Sequence, residues 1–448
     1  MNFARVAPYR AQRTRLHTAI KRGRLAVLDI GSSKITCLIL RINPDMMQDG
    51  EGRDRYGAAV FGALEVAGAR TVQARGIRRG EIVDMNEVCR AIRQALLAAE
   101  NMAAPKVERV DQVIVSFSGG NPESMMTEAE IETETGRVTD RDFSMVLHEC
   151  PDPPMRAGRQ ILHAQPCEIA VDYRGGIADP RGMTARKLSV AMHVMAVDER
   201  PLNDLMECIR QCDLDLAGVV SAPYASALSA LVEDEQRAGA ICIDMGGGGT
   251  SISVFLRDHL MCVDHVRYGG DHVTGDIAAG LMMSQSTAER IKTLYGGLIP
   301  TGADDREMID APRIGEEDLP DRRQISRGML IGVIRPRLEE TLQMIRARME
   351  ALGVDQLPGS GLVMTGAACQ LQGMDELVAR VLGRRPRIGK PLRIAGLPQS
   401  LSGPDFSTAV GLAVYALRPH DELWDFEAPR LGARGKAGDM LRWFKRAW

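Results

Sequence analysis

The sequence carries little net charge, few cysteines and no familiar metal-binding spacing. Its 448 residues include 56 Lys and Arg against 59 Asp and Glu, a formal balance of −3. Such a balance gives no global basic field, so nucleic acid is not an expected partner. The nine cysteines are odd in number and contain no CxxC pair, which argues against a disulfide framework and a zinc site and favours a reducing cytoplasm. The eight histidines show no HxxxH spacing, so no ligand set for a metalloenzyme is visible.

A secretory signal and long apolar runs are also missing. The longest uncharged stretch, residues 216–232, is too short for a membrane span and is interpreted as a buried strand running into a helix. The basic N-terminal arm, residues 1–23, has no apolar core and no acidic residue. We interpret it as a solvated, partly disordered arm, with a targeting presequence or a contact with an anionic surface as alternatives. With 45% hydrophobic residues, the rest of the chain should form two to four folded units.

Two distant segments resemble each other. Residues 24–40 read RLAVLDIGSSKITCLIL and residues 240–255 read AICIDMGGGGTSISVF. Each pattern predicts a β-hairpin, because an apolar run, an Asp and a turn of small residues precede a second β-rich run. Small residues at the tip let backbone N–H groups and hydroxyls approach phosphate oxygens, and Asp29 and Asp244 would hold Mg²⁺ through water. One copy alone is also typical of ordinary hairpins, whereas two suggest a duplicated domain around a nucleotide.

A third glycine-containing segment follows later in the chain. Residues 361–373 read GLVMTGAACQLQG, an apolar strand, a turn of small residues and the start of a helix. Gly366, Ala367 and Ala368 would let a flat adenine ring lie against the backbone. The alternative is an ordinary strand-to-helix turn.

The order of these three segments resembles that of the actin-like ATPase superfamily, which includes actin, DnaK-type chaperones and sugar kinases. Within it, the chain resembles the FtsA family of bacterial cell-division proteins from about residue 24 to 415 and again at its C-terminal end. The stretches that carry this resemblance are RGIRRGEIVDMNEV (75–88), LHAQPCEIAVDYRGGIADPRGM (162–183), YGGDHVTGDIA (268–278) and STAVGLAVYAL (407–417).

The resemblance implies an α/β, actin-like duplicated ATPase fold. Two halves would surround a nucleotide cleft, with an inserted small domain and a C-terminal amphipathic helix on a flexible linker. The implied boundaries are 24–106 and 198–236 for the first-half core, 107–197 for the inserted α/β subdomain, 237–274 and 354–418 for the second-half core, 275–353 for its outer subdomain, 419–438 for the linker and 439–448 for the helix.

ATP and Mg²⁺ are the implied cofactors. The predicted nucleotide-binding residues come from the three segments and from one helix: Asp29, Gly31, Ser32, Ser33, Lys34, Asp244, Gly246, Gly247, Gly248, Gly249, Thr250, Glu289, Lys292, Gly366, Ala367 and Ala368. Lys34 would neutralise a phosphate or else be a solvent-exposed lysine. Glu289 and Lys292 match the position from which relatives reach ribose and adenine, with a solvated helix face as the alternative.

Two departures from the family pattern bear on catalysis. Gly249 is a fourth glycine in the second turn, so Thr250 comes one place late and its hydroxyl is expected to have moved. Ser221 and Ala222 precede Pro223, where chaperone and kinase relatives often carry an acid that orients the attacking water. We therefore expect ATP binding with slow or absent hydrolysis.

The C-terminal tail combines a punctuated linker with an amphipathic end. Prolines and glycines interrupt residues 419–438, and the last ten residues read DMLRWFKRAW. At helical spacing their apolar side chains share one face, which predicts a monotopic membrane anchor; the alternative is a helix that docks on its own domain. One such helix binds weakly, and many on a filament bind firmly. The residues predicted to contact the membrane are Met440, Leu441, Trp443, Phe444, Lys445, Arg446 and Trp448.

The expected function is an ATP-binding tether that polymerises and links the tubulin-like FtsZ to the cytoplasmic face of the bacterial inner membrane. The resemblance implies the FtsZ C-terminal peptide, further copies of the chain, other division proteins and anionic lipid as partners. Arg337, with Arg335 and Glu340, would contact the peptide; the alternative is a solvated helix with intrahelical pairs. A soluble sugar-kinase-type phosphotransferase would need a catalytic acid and a sugar pocket. A chaperone-type ATPase would need a peptide-binding domain after the second half.

Overall fold

The computed structural model describes residues 3–44, 62–104, 107–316, 323–357, 360–417 and 422–426. The predicted amphipathic helix, with all seven residues predicted to contact the membrane, lies outside the described residues, and so does most of the predicted linker. In the described part, no helix has the length and apolar character needed to cross a membrane.

Strands and helices alternate along most of the chain. The strands are β1 (Arg24–Ile30), β2 (Lys34–Ile42), β3 (Leu64–Gln73), β4 (Ile77–Arg78), β5 (Glu81–Ile82), β6 (Gln112–Phe117), β7 (Glu123–Glu132), β8 (Arg159–Val171), β9 (Lys187–Asp198), β10 (Asp215–Ser221), β11 (Ala240–Met245), β12 (Thr250–Leu256), β13 (His259–Val266), β14 (Met308–Asp310), β15 (Gln324–Ser326), β16 (Gly361–Thr365) and β17 (Arg387–Ile388). The helices are α1 (Phe3–Lys21), α2 (Met85–Ala103), α3 (Asp140–Glu149), α4 (Glu199–Gln211), α5 (Ala222–Ala230), α6 (Glu233–Ala238), α7 (Gly270–Leu281), α8 (Gln285–Tyr295), α9 (Arg327–Ala351), α10 (Met374–Leu382) and α11 (Ser407–Leu417).

Two five-stranded sheets share one topology. The first has the order β10-β6-β1-β2-β3 and the second β13-β12-β11-β16-β17. In each, an antiparallel hairpin, β1/β2 or β11/β12, pairs in parallel with a later strand, β6 or β16. The predicted hairpins and the duplicated architecture are therefore confirmed.

Helices α5 and α11 pack against each other between the sheets. The contact is so close that a Cβ on Gly411 of α11 would lie 1.7 Å from the carbonyl oxygen of Ala225 in α5. Leu25 of β1, Phe255 of β12 and both helices belong to one hydrophobic cluster. The two halves thus share a continuous core beneath the cleft.

The inserted domain is a three-stranded antiparallel sheet, β7-β9-β8, covered by α3. The implied start at residue 107 is therefore wrong, because β6 pairs with β1 and β10 in the first-half sheet and the inserted sheet begins with β7. A capping box begins α3, because the Asp142 amide donates to the Thr139 hydroxyl (3.2 Å) and the Thr139 amide donates to the Asp142 carboxylate (2.9 Å). Val146, Leu188 and Val190 are buried in a small hydrophobic core that the inserted domain shares with Tyr9 of α1 and residues 423–424. Strand β9 then runs directly into α4, which returns the chain to the first half.

The N-terminal arm is not solvated, contrary to expectation, because residues 3–21 form α1. Helix α1 packs on β1 and β10 with Leu16 and Ala19 each 1% exposed. The apolar positions Tyr9, Leu16 and Ala19 recur at helical spacing, and this periodicity outweighs the concentration of basic side chains.

Part of the predicted linker is also docked rather than flexible. We call residues 422–426 the C-terminal strap; it contains a short 3₁₀ turn, Leu423–Asp425. Trp424 stacks on Tyr9 of α1 with ring centroids 4.4 Å apart, and Phe426 meets the ring of Phe143 in the inserted domain edge-on. The buried pair Leu423 and Trp424 explains the docking, since two adjacent apolar residues anchor even a short segment.

Candidate nucleotide-binding site

A cavity of about 250 Å³ lies between the two halves, where the tips of the β1/β2 and β11/β12 hairpins meet. Each predicted segment contributes to its lining. The predicted residues that line it are Asp29, Gly31, Ser32, Ser33, Lys34, Asp244, Gly246, Gly247, Gly248, Gly249, Gly366 and Ala367. The structure therefore brings together three segments that are far apart in the sequence.

The second hairpin tip needs glycine because the first tip touches it. A Cβ on Gly247 would lie 1.9 Å from the Ser33 hydroxyl oxygen, and a Cβ on Gly248 would lie 2.3 Å from that of Ser32. Any side chain on Gly247 or Gly248 would push the tips apart. The second tip therefore presents backbone without side chains to the cavity, as expected of a phosphate-binding turn.

Two carboxylates stand at the ends of equivalent strands. Asp29 accepts a hydrogen bond from the Ser116 hydroxyl (2.8 Å), and burial raises its pKa above the ordinary value. Burial, together with the nearby charge of Asp29, raises the pKa of Asp244 to about 6, although hydrogen bonds from the Ser226 and Thr408 hydroxyls act in the opposite direction.

This electrostatic arrangement fits a bound divalent cation. Two carboxylates whose charged forms are disfavoured by burial, and for Asp244 also by the charge of Asp29, gain most from a nearby positive charge, and carboxylate oxygens suit Mg²⁺. Asp29 and Asp244 are the residues that would hold it through water.

Lys34 lines the cavity but is already paired. Its ammonium group forms an ion pair with Asp405 and lies 3.4 Å from the centroid of the Phe406 ring. Lys34 is therefore not a lysine free in solvent, and its contact with a phosphate stays a prediction. Arg79, which sequence reasoning did not single out, also lines the cavity; it lies within the RGIRRGE motif.

The assignment of Thr250 as a nucleotide ligand is not supported by its position. Thr250 pairs with Met245 at the start of β12, is fully buried, and donates its hydroxyl to the Tyr268 carbonyl (2.7 Å). Among the described residues around the cavity, Ser251 lines the wall and Thr250 does not. The extra glycine has moved the hydroxyl out of the cleft, as the spacing predicted.

Gly366 holds the third segment against Asp244. Its φ of +89° lies in the left-handed region, and a Cβ there would lie 2.4 Å from the Asp244 Oδ1 atom. Ala368 is buried close to Gly270, the first residue of α7. Only glycine combines this backbone conformation with the approach to the carboxylate.

Glu289 and Lys292 form a network beside this turn. The Lys292 ammonium donates to Glu289 (2.7 Å), to the Thr274 hydroxyl (2.8 Å) and to the Gly270 carbonyl (3.2 Å). Neither Glu289 nor Lys292 lines the described cavity, yet the Lys292 ammonium lies 3.6 Å from the place that a Cβ of Gly270 would occupy, close to Ala368. They are thus adjacent to the predicted adenosine loop and not simply on a solvated helix face.

Ser221 and Ala222 line the cavity at the junction of β10 and α5, where the missing acid would stand. The Ser221 amide donates to His163 Nε2 (3.0 Å), so this nitrogen must carry the lone pair. The proton of a neutral His163 therefore sits on Nδ1, 2.6 Å from a carboxylate oxygen of Glu422. Glu422 also accepts from the Ala164 amide and the Gln165 side chain, both at 2.9 Å.

This chain of contacts links the cleft wall to the C-terminal strap. Sequence reasoning missed it because the three residues belong to different segments and buried histidine and glutamate carry no local pattern. In the sequence, Ser221, His163 and Glu422 share only one property, that each is a polar residue beside an apolar run.

Arg337, the predicted partner-binding residue, lies on α9 and is 24% exposed at its side chain. Its guanidinium pairs with Asp276 of α7 and with Glu340, and lies over the Tyr268 ring. Arg335 pairs with Glu339 at 2.9 Å. The intrahelical pairs of the alternative interpretation are present, and a cross-helix pair adds to them.

Comparisons with known proteins agree with this architecture. The family model "Cell division protein FtsA" matches residues 241–411, and the model "SHS2 domain inserted in FTSA" matches residues 119–196, within the inserted domain. The cell division protein FtsA of Rhizobium meliloti (strain 1021) is 37% identical over 433 residues, covering 95% of each chain. FtsA of Escherichia coli (strain K12) is 28% identical over 400 residues, covering 88% of this chain and 90% of its own.

Solved structures show the same fold at low sequence identity. A chain of the PilM–PilN type IV pilus biogenesis complex superposes with a TM-score of 0.58 at 16% identity, covering 88% of this chain and 99% of its own. MreB5 of Spiroplasma citri bound to ADP superposes with a TM-score of 0.50 at 14% identity, covering 88% and 95%.

Proposed function

Because this chain belongs to the FtsA family of actin-like bacterial cell-division proteins, we propose that it binds ATP, polymerises at the inner membrane and tethers FtsZ filaments there. The observation that carries the nucleotide part is a single cavity lined by two glycine hairpin tips and two buried carboxylates. The MreB5 structure, which has this fold, was solved with ADP.

The proposed nucleotide site uses the two halves in different ways. The hairpin tips surround the phosphates with backbone N–H groups, Asp29 and Asp244 hold Mg²⁺ through water, and the turn at Gly366 faces adenine. Mg²⁺ supplies charge compensation to the phosphates. Hydrolysis is slow in this proposal, because Ser221 offers a hydroxyl where a positioned acid would be needed.

Titration with ATP and Mg²⁺ tests the cleft assignment. Asp29→Ala and Asp244→Ala should each weaken binding, whereas Asp375→Ala, an exposed acid in the first turn of α10, serves as the matched control. Unchanged affinity in both cleft variants would exclude this cavity as the site.

The membrane part of the proposal rests on the terminal sequence, DMLRWFKRAW. Pelleting with anionic vesicles should retain the full chain and release a chain that ends at Gly438. Trp443→Glu should behave like the truncated chain because it places a charge in the apolar face, while Arg442→Ala should lose only about 1 kcal/mol of lipid attraction. Retention of Trp443→Glu on the vesicles, or a large fall in its melting temperature, would contradict the tether.

The FtsZ part of the proposal centres on Arg337. An acidic peptide carboxylate would compete with Asp276 and Glu340 for its guanidinium, in a bidentate pair. Arg337→Glu should abolish binding of the FtsZ C-terminal peptide at physiological salt, and Arg346→Glu, an exposed arginine on the same helix, should not. A peptide that binds Arg337→Glu normally would exclude this surface.

A further inference from the structure

Three of the nine cysteines converge in the first half. Cys89 lies on α2, Cys208 on α4 and Cys212 at the end of α4, and their sulfur atoms all lie within 4.8 Å of one another. The side chains are 3%, 0% and 6% exposed. No other group of three or more cysteine, histidine or acidic side chains with this geometry occurs in the described part of the chain.

The sulfur geometry matches a small metal ion. The Sγ atoms of Cys89 and Cys208 are 3.3 Å apart. A tetrahedral zinc ion with Zn–S bonds of about 2.3 Å holds its sulfurs about 3.8 Å apart. The Cys89–Cys208 spacing is about 0.5 Å below that value, and the 4.8 Å limit on the other two pairs is about 1 Å above it, so side-chain movements of up to about 1 Å would complete the three bonds.

A fourth ligand and a compensating charge stand on the outer side of the cluster. The Gln211 side-chain amide donates its N–H to Glu207 (2.9 Å), which turns its oxygen toward Cys89 Sγ at 3.8 Å. Arg93, an exposed arginine on α2, donates to the backbone carbonyl of Gln211. A divalent ion with three thiolates carries a charge of −1, which the Arg93 guanidinium partly offsets.

We propose that Cys89, Cys208, Cys212 and the Gln211 side-chain oxygen form a site for one thiophilic divalent cation of the zinc class. The cation would cross-link α2 to α4, the helix through which the chain returns from the inserted domain to the first half. The exposed side chains of Arg93 and Gln211 lie on the outer side of the cluster, while its inner side packs in the hydrophobic core of the first half. The three cysteines of the cluster and Gln211 do not line the described nucleotide cavity, so the proposal does not depend on nucleotide binding.

Zinc titration of the reduced, chelator-treated full chain tests the proposal. We expect one equivalent of Zn²⁺ to bind, release thiol protons, raise the melting temperature and protect three of the nine thiols from alkylation at a denaturant concentration that exposes these buried thiols in the metal-free chain. Co²⁺ in the same site should give a thiolate charge-transfer band. Absence of stoichiometric binding, or binding that protects no thiols, would overturn the proposal.

Variants localise the ion. Cys89→Ser and Cys208→Ser should lose at least tenfold in Zn²⁺ affinity, and Gln211→Ala should lose less. Cys262→Ser, a partly exposed cysteine outside the cluster, should bind as the unaltered chain does. Melting curves of the variants recorded without metal show whether a variant has lost only a metal ligand or also its fold. If a variant does not fold, protection of Cys89, Cys208 and Cys212 by Zn²⁺ in the unaltered chain decides the question. If Cys89→Ser and Cys208→Ser both bound Zn²⁺ as tightly as the unaltered chain, the assignment would be overturned.

Discussion

The buried negative charge of Asp244 lowers the free energy of unfolding, so Asp244→Asn should stabilise the nucleotide-free protein. The pKa of this carboxyl group rises from 3.8 to about 6 because of burial and the neighbouring Asp29. At about 1.4 kcal/mol for each factor of ten, the rise corresponds to about 3 kcal/mol. Asparagine keeps the shape and can still pair with the Ser226 and Thr408 hydroxyls.

The sign follows from proton release. The unfolded chain loses the Asp244 proton near pH 4, whereas the folded chain keeps it until about pH 6. The stability of the unaltered protein therefore falls across this window, and the full cost is present above it. Asp244→Asn, which has no proton to release, should gain up to about 3 kcal/mol at pH 8 and almost nothing at pH 4.

Nucleotide should reverse the order of stability. ATP with Mg²⁺ stabilises the folded state by a free energy that rises with the logarithm of its concentration over its Kd, and at about 1,000 times the Kd this gain of about 4 kcal/mol exceeds the advantage of the variant. Asp244→Asn lacks the carboxylate proposed to hold the ion. The variant should thus melt higher than the unaltered protein in EDTA at pH 8 and show little further gain when ATP and Mg²⁺ are added.

Denaturant unfolding at pH 8 and pH 4.5, with EDTA or with ATP and Mg²⁺, measures all of these differences. Asp405→Asn is the matched control, because this carboxylate lines the same cavity but pairs with Lys34 and should not gain stability when neutralised. A variant Asp244→Asn that is less stable than the unaltered protein in EDTA at pH 8, or that binds Mg²⁺-ATP equally well, would refute the reasoning.

Three further predictions follow from packing and hydrogen bonds. Gly411→Ala should lower the free energy of unfolding by about 3 kcal/mol or more in denaturant titration, because its Cβ would lie 1.7 Å from a carbonyl oxygen of α5. Gly366→Ala should weaken ATP binding in a nucleotide titration, because its φ of +89° and its approach to the cleft carboxylate both exclude a side chain. Glu422→Ala should cost about 1–3 kcal/mol of stability by calorimetry, since it leaves the buried His163 N–H without its acceptor, and Glu422→Gln should cost less.

The hairpins of the cleft could be predicted from the sequence because their signal is local. An apolar run, Asp29 or Asp244, and a turn of small residues determine both the strand pairing and the position of the carboxylate. The extra Gly249 likewise predicted that the Thr250 hydroxyl is displaced. One added residue in the turn shifts the sequence of the following strand by one position, so Thr250 is paired in β12 instead of lying in the turn.

Contacts between distant segments could not be predicted. The partner of Lys34 is Asp405, 371 residues away, and no property of either sequence neighbourhood indicates the pair. Cys89 and Cys208 are 119 residues apart, so a search for closely spaced metal ligands passes over them. Helix α1 was misjudged for a different reason: its basic side chains dominate the composition, while the few apolar positions that bury it decide the structure.

The docked strap changes how far the proposed membrane anchor can reach. With residues up to Phe426 held by α1 and the inserted domain, only residues 427–438 separate the strap from the terminal helix. Twelve residues span at most about 40 Å even when fully extended. If the helix lies in the membrane interface as proposed, the bilayer surface must pass within that distance of Phe426. The contacts that place the strap also reach Ser221 at the cleft wall through His163, so a continuous set of hydrogen bonds joins the segment that precedes the proposed anchor to the proposed nucleotide site.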